Sequence, residues 1–215
     1  MRNLEKDRIE MAAKREAMLQ KGFEIFSKNG IEPVAMQEIA NACGVGIATL
    51  YRYYNTKLDF VIDIGTRQWQ DYGKYANKMR QKSNIDHMTA AEEMEFYLDF
   101  YIDLYKKHKD LLRFNQNFNN FVQREGATKE QLKDYLLSIG QFNVYFTELY
   151  EKGEKDGTIR TDMPEEKMFA LISHIVLGVV VRFAQGLVYS ADNENDRLEE
   201  LEILKRMILN EYVIK

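Results

Sequence analysis

The residues best equipped for chemistry lie in one short stretch: Thr49, Tyr51, Arg52, Tyr53 and Lys57. Three hydroxyls, a guanidinium and an ammonium form a donor set suited to a row of anionic oxygens. A helix facing phosphates needs uncharged donors in its middle and cations at its flanks. Between residues 39 and 58 the only charged side chains are Arg52 and Lys57, so this stretch is locally cationic. A solvated helix rarely displays two tyrosines and an isoleucine together. The alternative is that these tyrosines simply pack against neighbouring helices, as core aromatics do.

Such a row of donors needs a scaffold. Apolar positions Met18, Leu19, Phe23, Ile25 and Phe26 predict a first helix over 8–28, ended by Asn29-Gly30. Met36, Ile39, Ala40 and Cys43 recur at three- and four-residue steps, predicting a two-turn helix over 36–43. Gly44-Val45-Gly46 breaks it, and a second short helix follows over 47–54. Val45, Leu50 and Tyr54 should point inward, turning Ile47, Ala48, Thr49, Tyr51, Arg52 and Tyr53 outward. Asn55 or Thr56 can cap a long helix running towards Lys82. Two short helices joined by a glycine turn, after a longer one, make a helix-turn-helix, whose second helix enters the DNA major groove.

The run Gly44-Val45-Gly46-Ile47-Ala48-Thr49-Leu50-Tyr51-Arg52-Tyr53-Tyr54, with Ile39-Ala40 before it and Lys57 after it, resembles the signature of the tetracycline-repressor (TetR/AcrR) family of transcriptional regulators. The likeness covers residues 18–60; behind them only helix count and length agree. It implies that Thr49, Tyr53 and Lys57 contact phosphates. Ile47, Ala48, Tyr51 and Arg52 would approach the bases, with Gln37 near the backbone and Gly46 also in the DNA-binding set. It also implies a homodimer on a near-palindromic double-stranded operator, and a small-molecule effector that releases it by shifting the fourth helix. Three positions depart from the family pattern. Ala35 stands where a Thr or Ser caps the second helix, leaving Glu38 without a capping-box partner. Gly46 replaces a Ser cap, and Tyr54 a core Phe whose added hydroxyl needs a partner.

The remaining sequence predicts amphipathic helices over 90–108, 110–124, 128–155, 165–190 and 196–212. With only Pro33 and Pro164 to interrupt it, the chain reads as all-α with about nine helices. A helix-turn-helix domain would occupy 1–57 and a ligand-sensing and dimerisation domain 58–215. Tyr97, Tyr101 and Tyr105 share one helical stripe, and Phe118, Phe142 and Phe146 lie on later faces. They can form a bundle core or the walls of an effector pocket, since pockets combine apolar walls with a few hydroxyls. Ile175, Val179, Phe183, Leu201, Leu204 and Ile208 give the last two helices apolar stripes. Those stripes suit either a dimer interface or packing within one chain. His174 and Arg182 interrupt the first of the two; His174 reads as a satisfied core or interface residue.

Composition narrows the classes. A net charge of -4 argues against a chain coated in nucleic acid or lying on an anionic membrane. Residues 1–60 carry nine Lys/Arg against eight Asp/Glu, so the acidity belongs to the rest of the chain. A single cysteine, Cys43, excludes a disulfide framework, no metal-ligand spacing occurs, and no cofactor is expected. The charged opening residues MRNLEKDRIEMAAKRE show no secretory leader, which fits the cytoplasm. The apolar run Met168–Val188 contains His174, Arg182 and Gln185, falling short of a membrane span. Enzyme motifs are missing: no Glu-x-x-His pair, nucleophile elbow, Walker loop or dinucleotide fingerprint appears. The reading is a ligand-responsive transcriptional regulator, most simply a repressor. Its alternatives are a helical interaction module with a degenerate helix-turn-helix, and a relative regulated by a partner protein.

Overall fold

The computed structural model describes residues 4–186 and 193–214. Among them are nine α-helices: α1 (Leu4–Asn29), α2 (Met36–Ala42), α3 (Ile47–Tyr53), α4 (Lys57–Lys82), α5 (Ala90–Lys107), α6 (Lys109–Arg124), α7 (Lys133–Asp156), α8 (Glu165–Gln185) and α9 (Glu194–Tyr212). The all-α expectation holds, and the helices fall near their predicted places. α7 begins five residues late, because Thr128 and Gln131 close a reciprocal side-chain turn, with Gln131 N–H donating to Thr128 Oγ1 at 3.2 Å, before the helix proper starts. A short 3-10 turn, Ile85–His87, follows α4. α8 ends at Gln185, where Gly186 takes φ 91°, short of the predicted end at 190; residues 187–190 themselves lie outside the described residues.

The chain divides into two compact units. The first comprises Met1–Gln70 with Arg113–Ser138, the second Asp71–Leu112 with Ile139–Lys215. The first unit is centred on Met18, Leu19 and Phe26 of α1, Ile39 and Ala40 of α2, Leu50 of α3, and Phe60 and Ile64 of α4, all buried. Gly22 lets α1 and α4 approach closely, since a Cβ there would stand 2.6 Å from Phe60 Cζ.

In the second unit α5 packs against α8 and α9. α8 is long and apolar enough, by length and composition alone, to cross a membrane, as a buried core helix can also be. Its Met168, Ile172, Val176, Val180 and Phe183 are nevertheless buried within the unit. An isolated antiparallel bridge between Ile159 and Val213 ties the turn after α7 to the end of α9.

Candidate nucleic-acid interface

The turn between α2 and α3 follows from backbone hydrogen bonding. Gly44 takes φ +67°, its N–H donates to Asn41 O at 3.0 Å, and Val45 N–H donates to Ala40 O at 3.0 Å. That pair of bonds closes a Schellman motif, which favours glycine at the left-handed position. Gly46 then caps α3 in extended geometry with open space around its missing Cβ.

α3 presents two distinct faces. Leu50 is fully buried, and Tyr54, just past the helix, is 5% exposed with its ring 4.7 Å from that of Phe60. Val45 is half-buried. On the other face Ala48, Tyr51 and Arg52 are exposed, while Ile47, Thr49 and Tyr53 are half-buried. Tyr51, at 48% exposure, is a large aromatic with no burial to account for it.

The hydroxyl that sets Tyr54 apart from phenylalanine has a partner. It donates to Asp63 Oδ2 at 2.7 Å, and Arg15 Nη2 bonds both oxygens of the same carboxylate, at 2.6 and 2.5 Å. α1, the end of α3 and α4 are thereby tied at one point. Burial and the neighbouring Asp63 push the Tyr54 phenol well above its ordinary pKa, so it remains a donor. Sequence reasoning did not find Arg15 or Asp63, because their pairing spans 48 residues and leaves no periodic trace.

Two expectations are corrected. Glu38 does have a partner: its Oε1 accepts from the Ala35 N–H at 2.8 Å. This is the half of a capping box that needs only the backbone of Ala35. Lys57 does not point outward. Its ammonium donates to Ile31 O at 2.6 Å, Val34 O at 2.7 Å and Glu32 O at 3.2 Å, and lies 5.8 Å from the Phe26 ring and 5.4 Å from that of Phe121. A lysine has three protons to give, and here all are given to the α1–α2 connection. Burial pulls its pKa below the ordinary lysine value. Thr56, not Asn55, caps α4: Asp59 N–H donates to Thr56 Oγ1 at 3.0 Å, and Thr56 N–H to Asp59 Oδ2 at 3.1 Å. Gln37 is exposed, its amide donating to Asn41 Oδ1 at 2.8 Å.

The aromatic residues behind this unit separate. Phe118 belongs to the first unit, where its ring lies 4.2 Å from that of Tyr135. In the second unit Tyr97 donates to Glu93 Oε1 at 2.9 Å, and Tyr101 pairs with Ser173 Oγ at 3.2 Å. Tyr105 is fully buried against Phe183, ring centroids 6.0 Å apart. Phe142 lies 5.9 Å from Tyr72, and Phe146 lies 4.8 Å from Phe169.

Among the residues expected at a dimer face, Phe183, Leu201 and Ile208 are buried inside their own chain. Val179 and Leu204 are half-buried, and only Ile175 is well exposed. The apolar surface left free on these helices is Leu171 and Ile175 on α8 with Ile203 and Met207 on α9. The sequence stripe was correct in period and displaced around the helix, because α5 claims the other side of both helices. His174 is exposed beside Ile175, which removes the core from its two expected places and leaves the interface.

A glycine-turned helix pair with a free, hydroxyl-bearing second helix defines the class of helix-turn-helix DNA-binding proteins. Residues 18–64 match the model of the family described as bacterial regulatory proteins, tetR family. An HTH-type transcriptional regulator of Staphylococcus aureus (strain bovine RF122 / ET3-1) is 26% identical over 137 residues, covering 63% of this chain and 70% of its own length. A crystal structure of a putative transcriptional regulator from Saccharomonospora viridis in complex with choline has a TM-score of 0.67 at 18% identity, covering 95% of this chain and 100% of that one. AibR in complex with isovaleryl coenzyme A and operator DNA has a TM-score of 0.62 at 17% identity, covering 90% and 97%. Residues 18–64 thus carry a tetR-family helix-turn-helix, and the chain is similar to HTH-type transcriptional regulators.

Proposed function

We propose that this regulator is a repressor that binds a near-palindromic operator as a homodimer and is released by a small apolar or aromatic effector. The observation that carries the DNA-binding half is the free face of α3, where Tyr51 and Arg52 are exposed while Leu50 and Tyr54 anchor the helix from behind. Tyr51, Arg52, Ala48 and Ile47 reach base edges; Thr49 and Tyr53 hold phosphates, with Gln37 and Gly46 at the margins. Ile47 offers a thymine methyl its apolar contact. Residues 1–57 form the reading domain and 58–215 the sensing and dimerising domain, acting in the cytoplasm.

Dimerisation is supported by four exposed apolar side chains on adjoining helices, Leu171, Ile175, Ile203 and Met207, since a twofold interface needs a self-complementary patch. Two recognition helices about 34–36 Å apart sum the few contacts each can make. Effector release is supported by the tyrosines and phenylalanines of the second unit. It is also supported by the neighbours, of which one is in complex with choline and another with both isovaleryl coenzyme A and operator DNA. Coupling of this kind amounts to about 1–3 kcal/mol, or about 5–150-fold in operator affinity.

Selection of bound sites from random duplexes tests the reading. A twofold-symmetric site whose affinity drops steeply with salt is the expected result. Tyr51→Ala should weaken binding to that site about tenfold or more while leaving the thermal midpoint unchanged, as befits an exposed contact residue. Salt-insensitive or absent binding would point to the degenerate interaction module instead.

A further inference from the structure

Among the described residues of the second unit, Arg80 Nε, Tyr105 Oη and His108 Nε2 are side-chain polar atoms buried without a hydrogen-bond partner. Arg80 has the most specific surroundings. Its guanidinium lies over Tyr145 with 4.7 Å to the ring centroid, and its Nη2 bonds Glu148 of α7. Tyr145 stacks on Tyr97, centroids 6.1 Å apart and planes 10° apart. The rings continue from Tyr145 to Phe142 at 6.2 Å, to Tyr72 at 5.9 Å and to the His108 imidazole at 5.3 Å. An aromatic tract thus runs through the unit, with an unused buried donor at one end. Tyr97, Phe142 and Tyr145 are only half-buried, so the tract can be reached from the surface.

The charges around Arg80 select the complementary ligand. Glu93 is 1% exposed and already engaged, Oε1 taking the Tyr97 hydroxyl and Oε2 taking Lys152. A cationic ligand would meet Arg80 and Lys152, with Glu93 and Glu148 already engaged by them. The open position is a donor, so the incoming group must supply an acceptor. A charged acceptor forms the stronger bond there, and a guanidinium offers Nε and Nη2 side by side to both oxygens of a carboxylate. Glu148, whose side chain is 49% exposed, bonds only Nη2 in this structure and loses little by turning to water.

We infer that this tract binds an amphipathic carboxylate with an aryl or alkyl body, its carboxylate displacing Glu148 to take Arg80 through Nε and Nη2 while the body lies along Tyr145, Phe142 and Tyr72. The site stands on its own geometry; its role as the effector site rests on the ligand-responsive reading above.

The full chain is titrated by calorimetry with 4-phenylbutyrate and decanoate, with the neutral 4-phenylbutan-1-ol and decan-1-ol, and with the cationic 4-phenylbutylammonium and decylammonium. At least one acid should bind about tenfold or more tighter than its alcohol, with its ammonium weakest. Arg80→Lys, which keeps the charge and removes Nε, should bring the acid down to the level of the alcohol at an unchanged thermal midpoint. Glu148→Gln should tighten the acid severalfold and leave the alcohol as it was. The site is overturned if alcohol or ammonium matches the acid, if Arg80→Lys binds the acid like the parent, or if none of the six probes binds at millimolar concentration. The same probes added to the operator complex separate the two claims. Acids that bind without releasing DNA overturn the effector role and keep the site, whereas release by the ammonium probes alone keeps ligand response and overturns the carboxylate site.

Discussion

The two units treat their buried polar groups in opposite ways. In the first, the Tyr54 hydroxyl meets Asp63, the Lys57 ammonium meets three carbonyls, and Trp69 Nε1 and the Tyr135 hydroxyl share Asn115 Oδ1 at 3.2 and 2.9 Å. No described side chain of that unit has a buried polar atom without a hydrogen-bond partner, while Arg80, Tyr105 and His108 of the second unit each have one. The unused donors of the first unit, on Tyr51 and Arg52, are at its surface. The first unit, which contains the proposed reading domain of residues 1–57, thus has a satisfied interior and turns spare hydrogen-bonding capacity outward. An interior that keeps unsatisfied groups carries a desolvation cost, and a ligand that supplies the missing partner relieves it.

The sharpest way to break this contrast is Lys57→Met, which keeps the stem and removes the ammonium. Three carbonyls of the α1–α2 connection lose their donor and two rings lose their cation. Hydrogen bonds to charged groups contribute about 1.5–3 kcal/mol each at full strength, and Lys57 is half-buried, so the expected loss of unfolding free energy in urea is about 3 kcal/mol in all. The family resemblance assigned this residue to a phosphate. If Lys57→Met leaves stability within about 0.5 kcal/mol of the parent yet weakens operator binding, that assignment stands and the clamp is wrong.

One chemical change made in both units should give opposite signs. Tyr54→Phe deletes a hydroxyl that has a partner and should cost about 1 kcal/mol, softened because Asp63 keeps Arg15. Tyr105→Phe deletes a fully buried hydroxyl without a partner and should be neutral or stabilising by up to about 1 kcal/mol. Two denaturant titrations decide it. Equal costs at both positions would mean that Tyr105 finds a partner in solution, and the proposed difference between the interiors would disappear.

The sequence revealed local features and concealed pairings that cross the chain. Helix type and approximate bounds were legible for the nine helices, because apolar period, the Gly44 turn and a cap at Asn55 or Thr56 are written within a few residues of where they act. The outward set on α3 was legible for the same reason, being fixed by Leu50 and Tyr54 at i, i+4. The partners of Lys57 were not legible because nothing near it in sequence announces the carbonyls of residues 31–34. The free face of α8 and α9 was misplaced because periodicity gives a stripe its spacing and not its partner, and α5 took Phe183, Leu201 and Ile208. Arg80 with Glu148, and Glu93 with Lys152, join residues 68 and 59 positions apart. No motif marks either pair.

The smallest expected effect concerns His108 and is read through pH. Its imidazole lies between Tyr72 and Tyr75, centroids 5.3 and 5.2 Å away. Burial lowers its pKa below 6.5, a shift that Asp103 opposes and Lys107 assists. The folded chain therefore takes up this proton less readily than the unfolded one. Above pH 6.5 both forms are neutral and the residue contributes nothing to the pH dependence; as pH falls below that value the unfolded imidazole protonates first and stability declines, until the folded pKa is passed. The carboxylates do not obscure the comparison. Asp103 and Asp156 have pKa values lowered from 3.8, and Glu24, Glu92 and Glu194 from 4.5, so the stability they contribute is lost only below those values. Thermal midpoints at pH 7.5 and 5.5 should converge in His108→Gln relative to the parent. Equal drops in parent and variant would show that the imidazole has found a partner or water, and would leave Arg80 and Tyr105 to carry the distinction between the two interiors.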